Sequence, residues 1–195
     1  MKAPRRDPEA RPTRAAAPRG IRPALGLVLA LAAAACGTRA VTAAPAGALA
    51  SAPTDRIRVM EPPDAVEGRT TRLGSGNVVA VRTAEGLRLA GYPDVTVLHA
   101  TTEPAARKAA LAVHARFLAV PTILEWADRT PAFRSNRVRI RVDLHDLADD
   151  GRIVRTVTFA AQSRRGIRKP STPRLLDESY RRAVATLLRP AEGGQ

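Results

Sequence analysis

Arg56-Ile57-Arg58-Val59-Met60-Glu61 alternates polar and apolar side chains, the period of a half-buried strand, and Pro62-Pro63 ends it. The following GRTTRLGSGN, 68–77, reads as a loop. Ser75 or Asn77 can then cap a helix running to about Leu89, with Val78, Val81 and Leu89 among its buried side chains and Gly86 weakening it. Gly91-Tyr92-Pro93-Asp94 turns the chain, and VTVLH, 95–99, is a second strand. Thr102-Glu103-Pro104 starts a helix: a capping hydroxyl, an acid in the first turn and a Pro whose missing N–H is not needed there. That Ala-rich helix is expected to reach about Arg116.

Phe117 to Trp126 is a strand, and Pro121 within it points to an edge position or a bulge. From Arg137 to Asp146 the pattern turns Val138, Ile140, Val142 and Leu144 inward, with Arg139, Arg141 and Asp143 on a wet face. Asp149-Asp150-Gly151 suits a hairpin turn that needs positive φ, and Ile153 to Gln162 is the partner strand. Ser171 or Thr172 caps a last helix opened by Pro173, with Leu176, Tyr180, Val184 and Leu187 on one stripe. The order β-α-β-α-β-β-β-α implies an α/β (α+β) sandwich: a mixed sheet with helices packed on it, one domain over residues 55–190.

The N-terminal part follows a different pattern. From Ala24 to Ala35 every residue is apolar or Gly, a run of 12 that is preceded by basic residues and closed by Cys36, the only cysteine. A spanning helix needs about 20 apolar residues. A positive n-region, a short apolar core and small residues at the cut are instead the parts of a secretory signal over 1–35. Ala33-Ala34-Ala35-Cys36 adds the pattern of a lipoprotein signal, in which Cys36 is acylated and becomes the first mature residue, although Ala33 stands where Leu is usual. A single Cys in an exported chain forms no internal disulfide. The alternative is a buried thiol in a short Ala-rich helix. Residues 36–54 then read as the lipidated Cys and a flexible linker of small side chains, whose coil dimensions place the domain about 25 Å from its anchor. Gly37 is no aspartate-type inner-membrane retention signal, so the expected site is the outer membrane, with the domain facing the periplasm.

Charge alters this picture little. The net charge is +14, but residues 1–35 hold seven basic side chains against two acidic ones, leaving +9 for the mature chain, and only three of the 32 basic residues are lysines. That looks like a chain-wide bias rather than a nucleic-acid footprint; attraction to anionic envelope polymers or lipid headgroups fits it better, and a solvated basic surface fits as well. With only six aromatic residues, the core is aliphatic.

Candidate chemistry is sparse. Glu125-Trp126-Ala127-Asp128-Arg129 ends a strand, and Glu125 with Asp128 could serve a hydrolase or transferase acting on an envelope polymer. Alternation sends those two carboxylates to opposite faces, whereas paired-carboxylate hydrolysis needs them converging on one bond. The structural reading is a corner in which Trp126 covers the core end while Asp128 and Arg129 are hydrogen-bonded. His99, His114 and His145 are scattered singly without metal-ligand spacing, so neither a metal nor another cofactor is expected. Gly74-Ser75-Gly76 lacks the Lys-Ser/Thr of a phosphate loop. Ser163 to Lys169 is a basic loop whose Arg164, Arg165, Arg168 and Lys169 could contact an anionic partner or merely be solvated.

FLAVPTILEWADRT, then NRVRIRVDLHDLADDGRIVRTVTFAAQS and a closing PxLLxxxY helix, resemble the uncharacterised bacterial lipoprotein family catalogued as domain of unknown function 4823, over roughly Arg56 to Leu188. The most specific piece is Pro121-Thr122-Ile123-Leu124, Trp126 and Asp128-Arg129. The chain departs from that family at Ala127, where the family has an acid, at Phe133, and in the loop 164–172. Its element order is also similar to that of the curli-secretion lipoprotein, the penicillin-binding-protein activator lipoproteins and the amino-terminal domain of the Tol translocation protein. The resemblance implies a non-enzymatic accessory module, anchored by an acylated Cys36, that binds an envelope protein or anionic polymer and not nucleic acid. That is an expectation from fold order, and fold does not fix function.

Overall fold

The computed structural model describes residues 40–44, 51–100, 102–128, 134–163 and 171–188. All lie in one compact unit spanning 34–195; the other unit, Met1–Ala33, falls outside the described residues. The strands are β1 (Ala40–Ala44), β2 (Ile57–Met60), β3 (Ala65–Glu67), β4 (Thr70–Arg72), β5 (Val95–Leu98), β6 (Phe117–Ala127), β7 (Arg137–Asp146) and β8 (Arg152–Gln162). The helices are α1 (Ser75–Leu89), α2 (Glu103–Ala112) and α3 (Glu178–Ala185), the last flanked by short 3₁₀ turns at Thr172–Leu176 and Thr186–Leu188.

The main sheet is mixed, in the order β1-β8-β7-β6-β2-β5, with β2 parallel to both β5 and β6 and the other pairs antiparallel. Alternation decides its two faces. Ile57, Val59, Phe117, Ala119, Val138, Ile140, Val142, Leu144, Val157 and Phe159 point to one side, where α1 and α3 cover them and form the main core. Met60, Leu118 and Val120 point to the other, where Ala106 and Ala110 of α2 close a second, smaller core with Ala115 and Leu147. The expected α/β class and the order of the main elements are therefore present.

Several details differ from the sequence reading. The segment expected as a linker contributes β1, which runs antiparallel along the outer edge of β8, from Ala40 opposite Ala160 to Ala44 opposite Thr156. Backbone pairing against an open edge asks for no bulky side chains, so a run of small residues suffices. The ordered chain also begins before Asp55, since Tyr92 donates its hydroxyl hydrogen to Ser51 Oγ at 2.6 Å. The loop after β2 contains a hairpin, β3–β4, too short to show a period.

In α1 the buried face is Val79, Ala80, Thr83, Ala84 and Leu87, while Val81 and Leu89 are exposed. Helix α2 stops at Ala112 rather than near Arg116, because His114 adopts a left-handed conformation at φ 53°. Strand β6 is central, not an edge; its parallel partner β2 ends opposite Ala119, so Pro121 sits where one side of β6 is already open, and the register shifts between Ile123 and Glu125. Asp143, expected on the wet face, is buried, with Arg141 Nε at 3.0 Å and Thr156 Oγ1 donating at 2.7 Å. The last helix is broken at Asp177, yet Leu176, Tyr180, Val184 and Leu187 all remain buried.

Two contacts fix α3. The Tyr180 ring meets Phe159 edge to face at 5.3 Å between centroids, and its hydroxyl lies 2.7 Å from Thr83 Oγ1 of α1, which also donates to the Val79 carbonyl. Gly86 is the crossing point: a Cβ there would lie 2.8 Å from both the Arg181 carbonyl oxygen and Val184 Cβ. The residue that weakens α1 as an isolated helix is what lets α3 approach it.

Candidate functional site

Helix α1, which follows β2, lies on one face of the sheet, and α2, which follows the adjacent β5, lies on the other. Helices diverging to opposite faces after neighbouring parallel strands leave a crevice outside the strands' carboxyl ends, the usual ligand position in open α/β sheets. Here that crevice has a volume of about 370 Å³ and is lined by Glu61, Pro62, Pro63, Asp64, His99 and Ala100. His99 Nδ1 is hydrogen-bonded to Glu61 Oε2, with the imidazole three-quarters exposed and the carboxylate largely covered.

The helix start beside this crevice is occupied by the chain's own carboxylate. Asp64 Oδ1 accepts from the Gly76 N–H at 2.8 Å and from the Ser75 hydroxyl at 3.3 Å, and Oδ2 accepts from the Gly74 N–H at 3.1 Å. Ser75 Oγ in turn accepts from the Ala65 N–H at 2.8 Å. Amides at a helix start attract anions, and the Gly76 N–H above all, against some desolvation, holds the Asp64 carboxyl below its ordinary range, with Gly74 and Ser75 assisting. Gly74 is needed for its φ of 79°, and Gly76 because a Cβ would fall 2.1 Å from the Pro62 carbonyl oxygen. Gly74-Ser75-Gly76 therefore cradles Asp64 where a phosphate loop would cradle phosphate. Neither Ser75 nor Asn77 caps α1; Gly74 is the capping residue and makes no side-chain bond.

The corner at the end of β6 is built differently from the expectation. Trp126 is buried in the main core. Asp128 takes part through its backbone: its N–H donates to Glu67 Oε2 at 3.3 Å and its carbonyl accepts from Arg72 at 3.2 Å. Glu67 and Arg72, at opposite ends of the β3–β4 hairpin, are themselves ion-paired at 2.5 Å. Thr172 adds a bond from its hydroxyl to the Ala127 carbonyl. Arg129 lies outside the described residues. Glu125 stands in register with Arg139 on the sheet face opposite Trp126, and the two are not ion-paired.

Arg137, Arg139 and Arg141 alternate along β7 and are all exposed on that outer face, beyond the part α2 covers. Cys36, Arg164, Arg165, Arg168 and Lys169 lie outside the described residues. Among the described residues no group of three or more His, Cys, Asp or Glu side chains could hold a metal ion, and no helix is long and apolar enough to cross a membrane. The crevice was not found from sequence: Glu61 and His99 are separated by a whole βα unit, and Asp64 meets Gly76 across a hairpin, so no local spacing marks either.

Solved structures offer a comparison for this geometry. PelC from Paraburkholderia phytofirmans, a dodecamer, superposes with a TM-score of 0.55 at 21% identity, covering 77% of this chain and 96% of its own. The chain shares the PelC fold. A single-residue variant of that PelC dodecamer gives a TM-score of 0.60 at 20% identity, over 77% of this chain and 99% of its own. A lipoprotein of Neisseria meningitidis overlaps more loosely, with a TM-score of 0.45 at 16% identity, over 62% and 90% of the two chains. No family model and no curated protein matches the chain, so the kinship to domain of unknown function 4823 stands as a resemblance only. At 20–21% identity, what this chain has in common with PelC is its fold.

Proposed function

We propose that this chain is a lipid-anchored accessory module of the bacterial cell envelope. Residues 1–35 export it, an acylated Cys36 anchors it, and the domain faces the periplasm, with Gly37 after the Cys favouring the outer membrane. It works by binding another envelope component and performs no covalent chemistry. The observation that carries this reading is the pairing of a 12-residue apolar run closed by the only Cys with a following domain of PelC fold. The non-enzymatic part is supported by the carboxylates themselves: Asp64 is spent on a helix start, Asp128 serves the corner through its backbone, and Glu125 faces an arginine across the outer sheet face. Since the PelC neighbour is a dodecamer, we extend the reading to self-association of this chain.

Metabolic labelling with a fatty-acid probe tests the anchor. The wild-type chain is expected to label and to fractionate with the envelope, and Cys36→Ala to do neither; equal labelling of the two would overturn the reading. Light scattering on the detergent-solubilised mature chain tests self-association, where a monomer at all concentrations is the contrary result.

A further inference from the structure

We propose that the outer face of β7 is a binding track for a linear acidic polysaccharide. This rests on the accessory-module reading and names the partner's chemistry and the residues that meet it. Arg137, Arg139 and Arg141 occupy alternate positions of one straight strand, so their Cα atoms follow one another at ~6.8 Å and the row spans ~14 Å. All three are exposed, and Arg137 and Arg139 make no ion pair among the described residues. Arg141 is held through Nε by the buried Asp143, which orients its guanidinium and leaves the side chain about half exposed. A guanidinium offers a carboxylate two parallel hydrogen bonds, so a line of them fits a chain carrying carboxylates at intervals.

The surroundings of the row select the class of polyanion. Thr122 and Thr158 flank Arg141 in register on the two neighbouring strands, and Glu125 flanks Arg139. Hydroxyls and a carboxylate acceptor beside the arginines suit a ligand that presents hydroxyl donors together with its charges, as a sugar acid does. Glu125 would repel a ligand that is anionic at every contact. Single-stranded nucleic acid is bound through exposed aromatic platforms; among the described residues the aromatics Tyr92, Phe117, Trp126, Phe159 and Tyr180 are all buried. An anionic membrane surface is bound by basic residues flanked with apolar anchors, whereas among the described residues the one large apolar side chain exposed on this part of the sheet is Leu124.

The test uses the mature lipidated chain in detergent, with fluorescently labelled oligogalacturonate as probe and anisotropy as readout. Binding is expected to weaken with added salt, and R137Q/R139Q/R141Q is expected to weaken it tenfold or more. A control that removes the same charge elsewhere, R69Q/R152Q/R174Q, is expected to bind like wild type, and circular dichroism is expected to show both variants folded. The proposal is overturned if the two triple variants lose binding equally, if R137Q/R139Q/R141Q binds like wild type, or if wild type prefers oligothymidylate or phosphatidylglycerol vesicles to the sugar. Failure to bind oligogalacturonate by a chain that still labels on Cys36 removes this inference alone; failure to label removes the reading beneath it.

Discussion

Asp64 Oδ1 accepts the Gly76 N–H at 2.8 Å, closing the first turn of α1 with a carboxylate twelve residues upstream. Because bonding holds the Asp64 carboxyl below its ordinary value of 3.8, the folded state favours the charged form more than the unfolded chain does. Its contribution is therefore complete above the ordinary carboxylate range and disappears as the pH falls through the lowered value. Asp64→Asn is expected to lower stability at neutral pH by about 1 kcal/mol, the scale of a lost helix cap. Thermal unfolding of both chains across pH 7 to 2 checks this: the gap in Tm is expected to narrow below pH 4, and a pH-independent gap would refute the charge-based account.

Gly76 and Gly86 are both helical glycines whose replacement by Ala would ordinarily raise helix propensity. Here the added methyl would meet the Pro62 carbonyl oxygen at 2.1 Å in one case and the α3 backbone at 2.8 Å in the other. Gly76→Ala and Gly86→Ala are each expected to destabilise by about 1–3 kcal/mol, the usual range for overpacking. Urea unfolding measures it, and a stabilised Gly86→Ala chain would mean that α1 and α3 are further apart than described.

Strands with four or more alternating residues are legible in the sequence, the short pair β2 and β5 as well as the long β7 and β8. Arg137 to Asp146 shows its period over ten residues, so β7 was found with its true ends, and Asp149-Asp150-Gly151 supplies the positive φ at Asp150 and Gly151 that its hairpin uses. Strands of three residues, such as Ala65–Glu67 and Thr70–Arg72, carry no period and looked like loop. Ala40–Ala44 was missed because only the open edge of β8 makes those small residues a strand. Asp143 was misplaced for a related reason: alternation gave its face correctly, but its burial depends on Arg141 and Thr156 closing over it. The site is legible to the extent that it is made of consecutive residues. The row Arg137, Arg139, Arg141 could be read from the alternation, whereas Glu61 with His99 and Asp64 with Gly76 are joined only by the crossover topology.

Tyr180 and Thr83 bind α3 to α1 in a fully buried contact, and burial pushes the phenol well above its ordinary value of 10.0 against the opposing effect of the Thr83 bond. Tyr180→Phe removes one hydroxyl and leaves Thr83 its bond to the Val79 carbonyl, so the expected loss is about 1 kcal/mol. Tyr180→Ala also opens a cavity beside Phe159, with an expected loss of about 3–5 kcal/mol. Chemical denaturation of the three chains checks the ratio. Absorbance titration is expected to show the Tyr180 phenol staying protonated until the fold itself is lost.

At the end of β6 the structure divides the labour between Asp128 and Glu67. The Asp128 side chain makes none of the described corner bonds, whereas Glu67 accepts from both Arg72 and the Asp128 N–H. Arg72 is only about one-third exposed, and its Nε is buried without a hydrogen-bond partner among the described residues, so removing Glu67 leaves a partly covered guanidinium short of its main counter-charge. Glu67→Ala is therefore expected to cost about 1–2 kcal/mol, discounted for the partial exposure of the pair. E125A/D128A is expected to unfold within about 0.5 kcal/mol of wild type, as surface substitutions do. Parallel denaturation curves settle the order. Loss of a purified activity in that folded double variant would assign the two carboxylates to catalysis instead.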